Sequence, residues 1–595
     1  MRIALRLAVA VVLTLALLPG AASATHLPDQ SRNMDELFED GNQATNSDLA
    51  FWGDHAFVGY YTGDTGSPPG SGPRGGVRIY DISNPASPRL VRDFRCDGNQ
   101  NDPIVWDTDD NGIADLMLLA VDRTMTRPEC GAARSAAPGD PTGWEGVRVF
   151  TMSDNPRRPF RSIEQVDTVY TDCGAHTITL WPEFADDRRN PRLLVYVSSY
   201  PLRAGPTCGD TEYQNTANPY DEDRGSPANP LHGVIQVVEV PVDNPEDSRE
   251  LRGAGGQTVQ PAISYRTDPD GRIEWCERGF DFGFCNVGPG PTQFEPAAVA
   301  CHDIVVHVEH RVAGGACAED GQVWEIDENG IPDTANPMST GDDQVTSGGR
   351  GQFPGAVDFF HSVMFDNDAE TVNWVDESFG AGCPTMTNYQ PRPWNPAGGR
   401  HKTGKMFFSD MEGNFLSEFH VGDLRPDPGP TEYCSAHMGM AVMGIERDLL
   451  VNAWYTGGAD VIDFTNPRNL REIAFYDPQQ DSGTWSAYPY TGPLFRSGRG
   501  TPVYASDGVE NNALADGMVV YRARNVPVPR NRDRVDHLNP QTMDHEMGGR
   551  GGGGRGDDDD DDDDDDDRGD GRGDDDDDDR GRGRGRDRDR DDDDD

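Results

Sequence analysis

Four of the chain's 13 histidines, His176, His302, His361 and His437, each open a short apolar run: HTITLW, HDIVVHVEH, HSVMFD and HMGMAVMGI. Neutral imidazoles presented side by side from successive elements are donors for a transition metal such as iron, copper or zinc. Carboxylates to orient them stand close by in sequence at Asp303, Asp376 and Glu377. The bland alternative is that a residue shared between repeats reflects common ancestry and a common hydrogen bond. A second constellation, DTDDNGIAD, sets oxygen donors at Asp107, Asp109, Asn111 and Asp115, with the Ile113 carbonyl between them and Gly112 for a tight bend. This alternate-residue spacing is the one by which a short loop wraps calcium. It is not an EF-hand, since position twelve is Leu118 rather than a bidentate Glu. A weaker version, EIDENGIPD, offers Glu325, Asp327, Asn329 and Asp333 and reads equally well as an ordinary Asx turn.

These residues need elements to hold them, and the stretch from Cys434 to Pro478 supplies the pattern. Apolar runs HMGMAVMGI, LLVNAWY, ADVIDF and LREIAFY are separated by the turns ERD, TGG and TNPRN, which predicts four short strands joined tightly. One such sheet cannot cover both its faces and calls for neighbours like itself. Six further units fit the same ruler between Asp48 and Asn525, with long insertions at 201–230 and 383–400 and a long loop holding Cys276 and Cys285 before the fourth unit. The last, WSAYPY, TPVYASDG and GMVVYRAR, lacks a fourth strand, whereas the segment NMDELFEDGN near the amino terminus is a fourth strand without the three before it. The two ends therefore predict a ring closed by strand exchange: an all-β, seven-bladed β-propeller over residues 25–525 whose first strands line a central channel. The four histidines then fall at one depth.

The turns DISNPASPRLV (81–91), VDNPEDSREL (242–251) and VIDFTNPRNLREIAFYD (461–477) resemble the LVIVD repeat, and the segments HDIVVHVEHRVAGGACAEDG, FHSVMFDNDAETVNWVDES and SGTWSAYPY resemble secreted bacterial propellers built from it. The resemblance covers roughly residues 35–525 and implies a propeller, without implying an activity.

Residues 1–24 read as a secretory signal: Arg2 and Arg6, the apolar run LAVAVVLTLALL, and Ala22, Ser23, Ala24 before the cleavage point. Export to the extracellular space follows as the expectation. An even count of 10 cysteines suits that compartment, and pairing near neighbours gives Cys96–Cys130, Cys173–Cys208, Cys276–Cys285, Cys301–Cys317 and Cys383–Cys434. The net charge of −52 is split: from Gly549 onward 25 Asp face 10 Arg, leaving −37 on the rest. Such a body repels nucleic acid, and no segment of the mature chain is apolar for long enough to span a bilayer. Residues 526–548 read as a linker, and 549–595 as a disordered acidic tail with nothing apolar to offset ordering entropy. No GxSxG, HExxH or Walker sequence is present. Two functions remain: a calcium-stabilised scaffold presenting a rigid face to a protein or glycan, and a metal-dependent oxidoreductase whose ion sits on His176, His302, His361 and His437.

Overall fold

The computed structural model describes residues 30–544 apart from 42–44, 62–74, 136–139, 141, 172–173, 200–232, 264–300, 318–319, 343–359, 378–403, 422–434, 479–482, 494, 496–499, 508–516 and 531–533. The described residues are all-β, with one nine-stranded sheet and five smaller ones of four or five strands.

The chain repeats one motif of successive antiparallel strands. Thr45–Trp52, His55–Tyr61, Gly76–Asp81 and Arg89–Arg95 form the first run. The second is Gln100–Trp106, Leu116–Met125, Trp144–Met152 and Ile163–Tyr170, and the third Thr177–Trp181, Arg192–Ser198, Gln236–Pro241 and the two-residue strand Arg249–Glu250. The fourth comprises Asp303–His307, Val312–Cys317, Asp320–Glu325 and Ser339–Asp342, and the fifth Phe360–Phe365, Thr371–Asp376, Met406–Asp410 and Phe415–Phe419. The sixth is Met438–Ala441, Leu449–Ala453, Ala459–Asp463 and Arg471–Asp477, and the seventh opens with Thr484–Pro489, Thr501–Asp507 and Gly517–Ala523.

Burial follows position within a run. Leu116 to Val121, in a second strand, is buried at every residue, because both faces of that strand meet other apolar side chains. The outer strand Arg89–Arg95 is half-buried or exposed throughout and is correspondingly charged. Trp181, Trp324, Trp374 and Trp454 are wholly buried. Room for two of them comes from glycine: a Cβ at Gly315 would lie 2.1 Å from the Trp324 ring, and one at Gly321 2.6 Å from Trp374. Each run's first strand touches the first strand of the next, and Thr484–Pro489 returns to Thr45–Trp52.

The amino terminus closes the set as its sequence predicts. Met34–Glu39 pairs antiparallel with Gly517–Ala523, supplying the seventh run's fourth strand, with Met34 opposite Ala523. Just before it, Gln30–Arg32 pairs with Arg471–Asp477 at the edge of the sixth run. A parallel contact, Met438 opposite Ser486, joins the sixth and seventh runs into the nine-stranded sheet. Its two edge strands are separated in the chain only by Asn33, so the sheet nearly closes on itself.

The expectation of a coil linker at 526–548 is corrected. His537–Leu538 pairs with the inner strand Thr45–Trp52, and Thr542–Met543 runs parallel to Asp303–His307. Leu538, Asn539, Gln541 and Met543 are buried. The Asn539 side chain accepts from the Val105 N–H at 2.8 Å and donates to the Val105 carbonyl at 2.9 Å. This segment satisfies backbone groups on the innermost strands that would otherwise lack partners. The disulfides Cys96–Cys130 and Cys301–Cys317 are formed as expected. The other three pairings each include residues outside those described.

Candidate metal centre

His176, His302 and His437 stand immediately before the first strands Thr177–Trp181, Asp303–His307 and Met438–Ala441, and His361 is the second residue of Phe360–Phe365, so that the four come to a common place. His176 and His302 have ring centroids 4.3 Å apart, His302 and His361 3.9 Å, and His361 and His437 4.0 Å. All four are buried, forming a continuous arc of imidazoles. The arc continues at each end with residues that the sequence did not single out. Gln100 Nε2 lies 3.1 Å from His176 Nδ1, and the Trp485 ring 4.4 Å from His437. Counted by position at the start of their apolar runs, Asp102 and Ser486 would be the counterparts of these histidines. The local reason in the second run is two successive left-handed residues, Gln100 and Asn101, with φ of 65° and 54°, which interrupt the strand register there.

Hydrogen bonds set the ring orientations. A carbonyl can only accept, so His302 Nδ1 carries its proton toward the His361 carbonyl at 3.1 Å, and His437 Nδ1 toward that of Trp485 at 2.5 Å. In both neutral rings Nε2 is then the unprotonated nitrogen, the state a metal requires. His176 is held differently, with Nδ1 2.7 Å from Asp122 Oδ2, and Asp122 also receives the Asn99 amide at 2.5 Å. Burial, reinforced by the neighbouring imidazoles, pushes His302 and His361 well below the ordinary imidazole range, and burial takes His437 down to about 3. These three rings are neutral at pH 7.

Among the described residues, one group of three metal-type donors gathers within 4.8 Å: His361, Glu377 and His437, all buried. Glu377 Oε2 lies 3.4 Å from His361 Nε2 and Oε1 3.8 Å from His437 Nε2. The Tyr455 hydroxyl donates to Glu377 Oε1, and its ring stands 4.7 Å from that of His437. The buried His437 Nε2 has no hydrogen-bond partner. Glu377, which the sequence placed only as a supporting carboxylate, thus stands among the donors. Two histidines and a carboxylate form the set that leaves open positions on a transition metal. The signal for Tyr455 was its place before Gly457 and Gly458, since it takes φ 48°, unusual for a tyrosine.

The acidic loop is organised otherwise. Asp107 accepts from the backbone N–H groups of Asp109, Asn111 and Gly112, the last at 2.6 Å. Asp115 accepts from the Thr108 N–H and hydroxyl, the Asn111 amide donates to Asp154, and Asn111 Oδ1 accepts from the Ile113 N–H. Asp109, Asp107 and Asp115 do not form a donor group of the kind made by His361, Glu377 and His437. Asp327 repeats the arrangement, accepting from the N–H groups of Asn329 and Ile331. In both loops one carboxylate, Asp107 or Asp327, accepts from N–H groups of its own turn in the manner of an Asx turn.

No family model and no curated protein matches the chain. Among solved structures it is similar to Sqt1 of Chaetomium thermophilum, in complex with the N-terminus of ribosomal protein L10 (9% identity, 82% of this chain and 90% of that one, TM-score 0.38) and alone (11%, 84% and 92%, 0.36). It is also similar to the computationally designed protein Ika8 (10%, 82% and 99%, 0.32). Likenesses this faint carry no function. No helix among the described residues is long and apolar enough to cross a membrane.

Proposed function

We propose that this chain is an exported, LVIVD-type seven-bladed β-propeller that holds a transition metal on His361, His437 and Glu377, beside His302 and His176, and acts as a metal-dependent oxidoreductase. Support for the propeller comes from the seven antiparallel runs, the closed circuit of contacts between their first strands, and the amino-terminal strand completing the seventh. The observation that carries the function is the gathering of three buried donors within 4.8 Å at one end of an arc of neutral imidazoles. A bound metal supplies electron transfer or polarises a substrate oxygen. The protein's part is to fix two ring tautomers through backbone carbonyls and to hold Glu377 through Tyr455.

The test is metal analysis of the exported chain purified without chelator. About one equivalent of iron, copper or zinc is expected, lost from a His361→Ala, Glu377→Gln double variant that keeps its circular dichroism spectrum. A well-folded wild type that neither carries nor takes up a transition metal would overturn this reading and leave the binding-scaffold function.

A further inference from the structure

The arc of imidazoles ends on an aromatic ring that reaches solvent. His176, His302, His361 and His437 are each no more than 5% exposed. Among the described residues, two further aromatic rings touch the arc, both at His437: Tyr455 at 4.7 Å, which is buried, and Trp485 at 4.4 Å, which is half-buried. Tyr455 and Trp485 face each other at 6.2 Å, and Tyr61, 1% exposed, stands 6.3 Å from Trp485 on the other side. The far ends of the first strands are covered by the carboxy-terminal segment, where Leu538 lies opposite Phe51 and the Thr542 hydroxyl donates to the Leu180 carbonyl. Trp485 is therefore where the rings that adjoin His361, Glu377 and His437 meet water.

The indole is not what orients His437. That ring donates to the backbone carbonyl of Trp485, an acceptor that any residue at this position would supply. What the side chain adds is a large π-system packed on a proposed metal ligand. Electron tunnelling falls off exponentially with distance, so an imidazole and an indole in contact give a buried metal a short route to the surface. The chain's net charge of −52 draws cations toward it and repels anions. We infer that Trp485 is the electron port of the metal centre and that it serves a cationic one-electron carrier. The carrier loses one electron, which passes along the indole and the His437 ring to the metal; no atom or proton is transferred at Trp485. This rests on the oxidoreductase reading of the His361, Glu377, His437 site.

The full chain is loaded with iron or copper and mixed rapidly with hexaammineruthenium(II), and the metal-free chain is titrated with ionic fluorescence quenchers. Trp485→Leu should slow reduction of the metal about 10–100-fold. Metal content and midpoint potential should stay as in wild type, because His437 keeps its backbone acceptor. Trp485→Phe, which keeps a ring against His437, should lose less. In the metal-free chain, the tryptophan emission that Trp485→Leu removes should be quenched by caesium more than by iodide. The inference alone is overturned if loaded Trp485→Leu is reduced as fast as wild type, if its slower reduction comes with a changed midpoint potential, or if neither quencher reaches that emission. A wild type that takes up neither iron nor copper overturns it together with the oxidoreductase reading.

Discussion

Single residues decide the chemistry here through what holds them. Tyr455 donates to Glu377 from a left-handed backbone position, and removing only its hydroxyl should loosen the carboxylate. Tyr455→Phe is expected to lower transition-metal affinity about 10–100-fold, measured by competition with a chromogenic chelator, with little change in melting temperature. His537 behaves oppositely to the arc histidines. Burial alone would lower its pKa, but hydrogen bonds to Asp536 at 2.8 Å and Asp544 at 3.3 Å outweigh this and raise it to about 9, with Trp52 stacked on the ring at 4.6 Å. The folded state therefore binds this proton more tightly than the unfolded chain. Its stabilisation is complete below about pH 6.5, is lost as pH rises through about 9, and amounts to at most about 3 kcal/mol. His537→Gln should melt lower than wild type at pH 6.5, and the gap should close by about pH 10. A constant gap across that range would refute the assignment.

At the level of elements, the amino-terminal strand shows what sequence pattern could and could not convey. The match between ELFEDGNQ and the outer strand VRDFRCDGNQ was legible as a strand without its sheet, and pairing with Gly517–Ala523 follows it. The burial of Met34 to 0% exposure is a tertiary fact. Met34→Ala should cost about 2–5 kcal/mol in chemical denaturation. Asp35→Asn, which removes exposed ion pairs to Arg522 and Arg524, should cost less than about 1 kcal/mol. If the two were equal, the strand would be held by its charges and not by burial. The carboxy-terminal strands were missed because two-residue strands in the stretch VDHLNPQTMD have no periodicity to read. Their partners are 360 residues or more away in the case of Thr542 and Leu180.

At the scale of the whole molecule, the two disulfides among the described residues close separations of 34 and 16 residues. Loop-closure entropy puts these at about 4 and about 3 kcal/mol. Reduction should therefore lower the melting temperature without dispersing the sheets, whose closure runs through strand pairing. Cys301→Ser with Cys317→Ser should retain the β-type circular dichroism spectrum, and loss of the whole fold would show that disulfides, not pairing, close it. No long apolar helix occurs among the described residues, and the first strand group meets the last through packed strands.

Side-chain period and turn residues, both local, were enough to determine the repeating antiparallel runs, the spare strand at the start, and the four histidines as equivalent positions. Distance is not local. Only the tertiary structure decided that the imidazoles stand about 4 Å apart, that Glu377 lies beside His361 and His437, and that a segment resembling a linker is buried against the inner strands. Each of these depends on residues far apart in the chain meeting in a dry interior, where the cost of an unpaired polar group selects its partner.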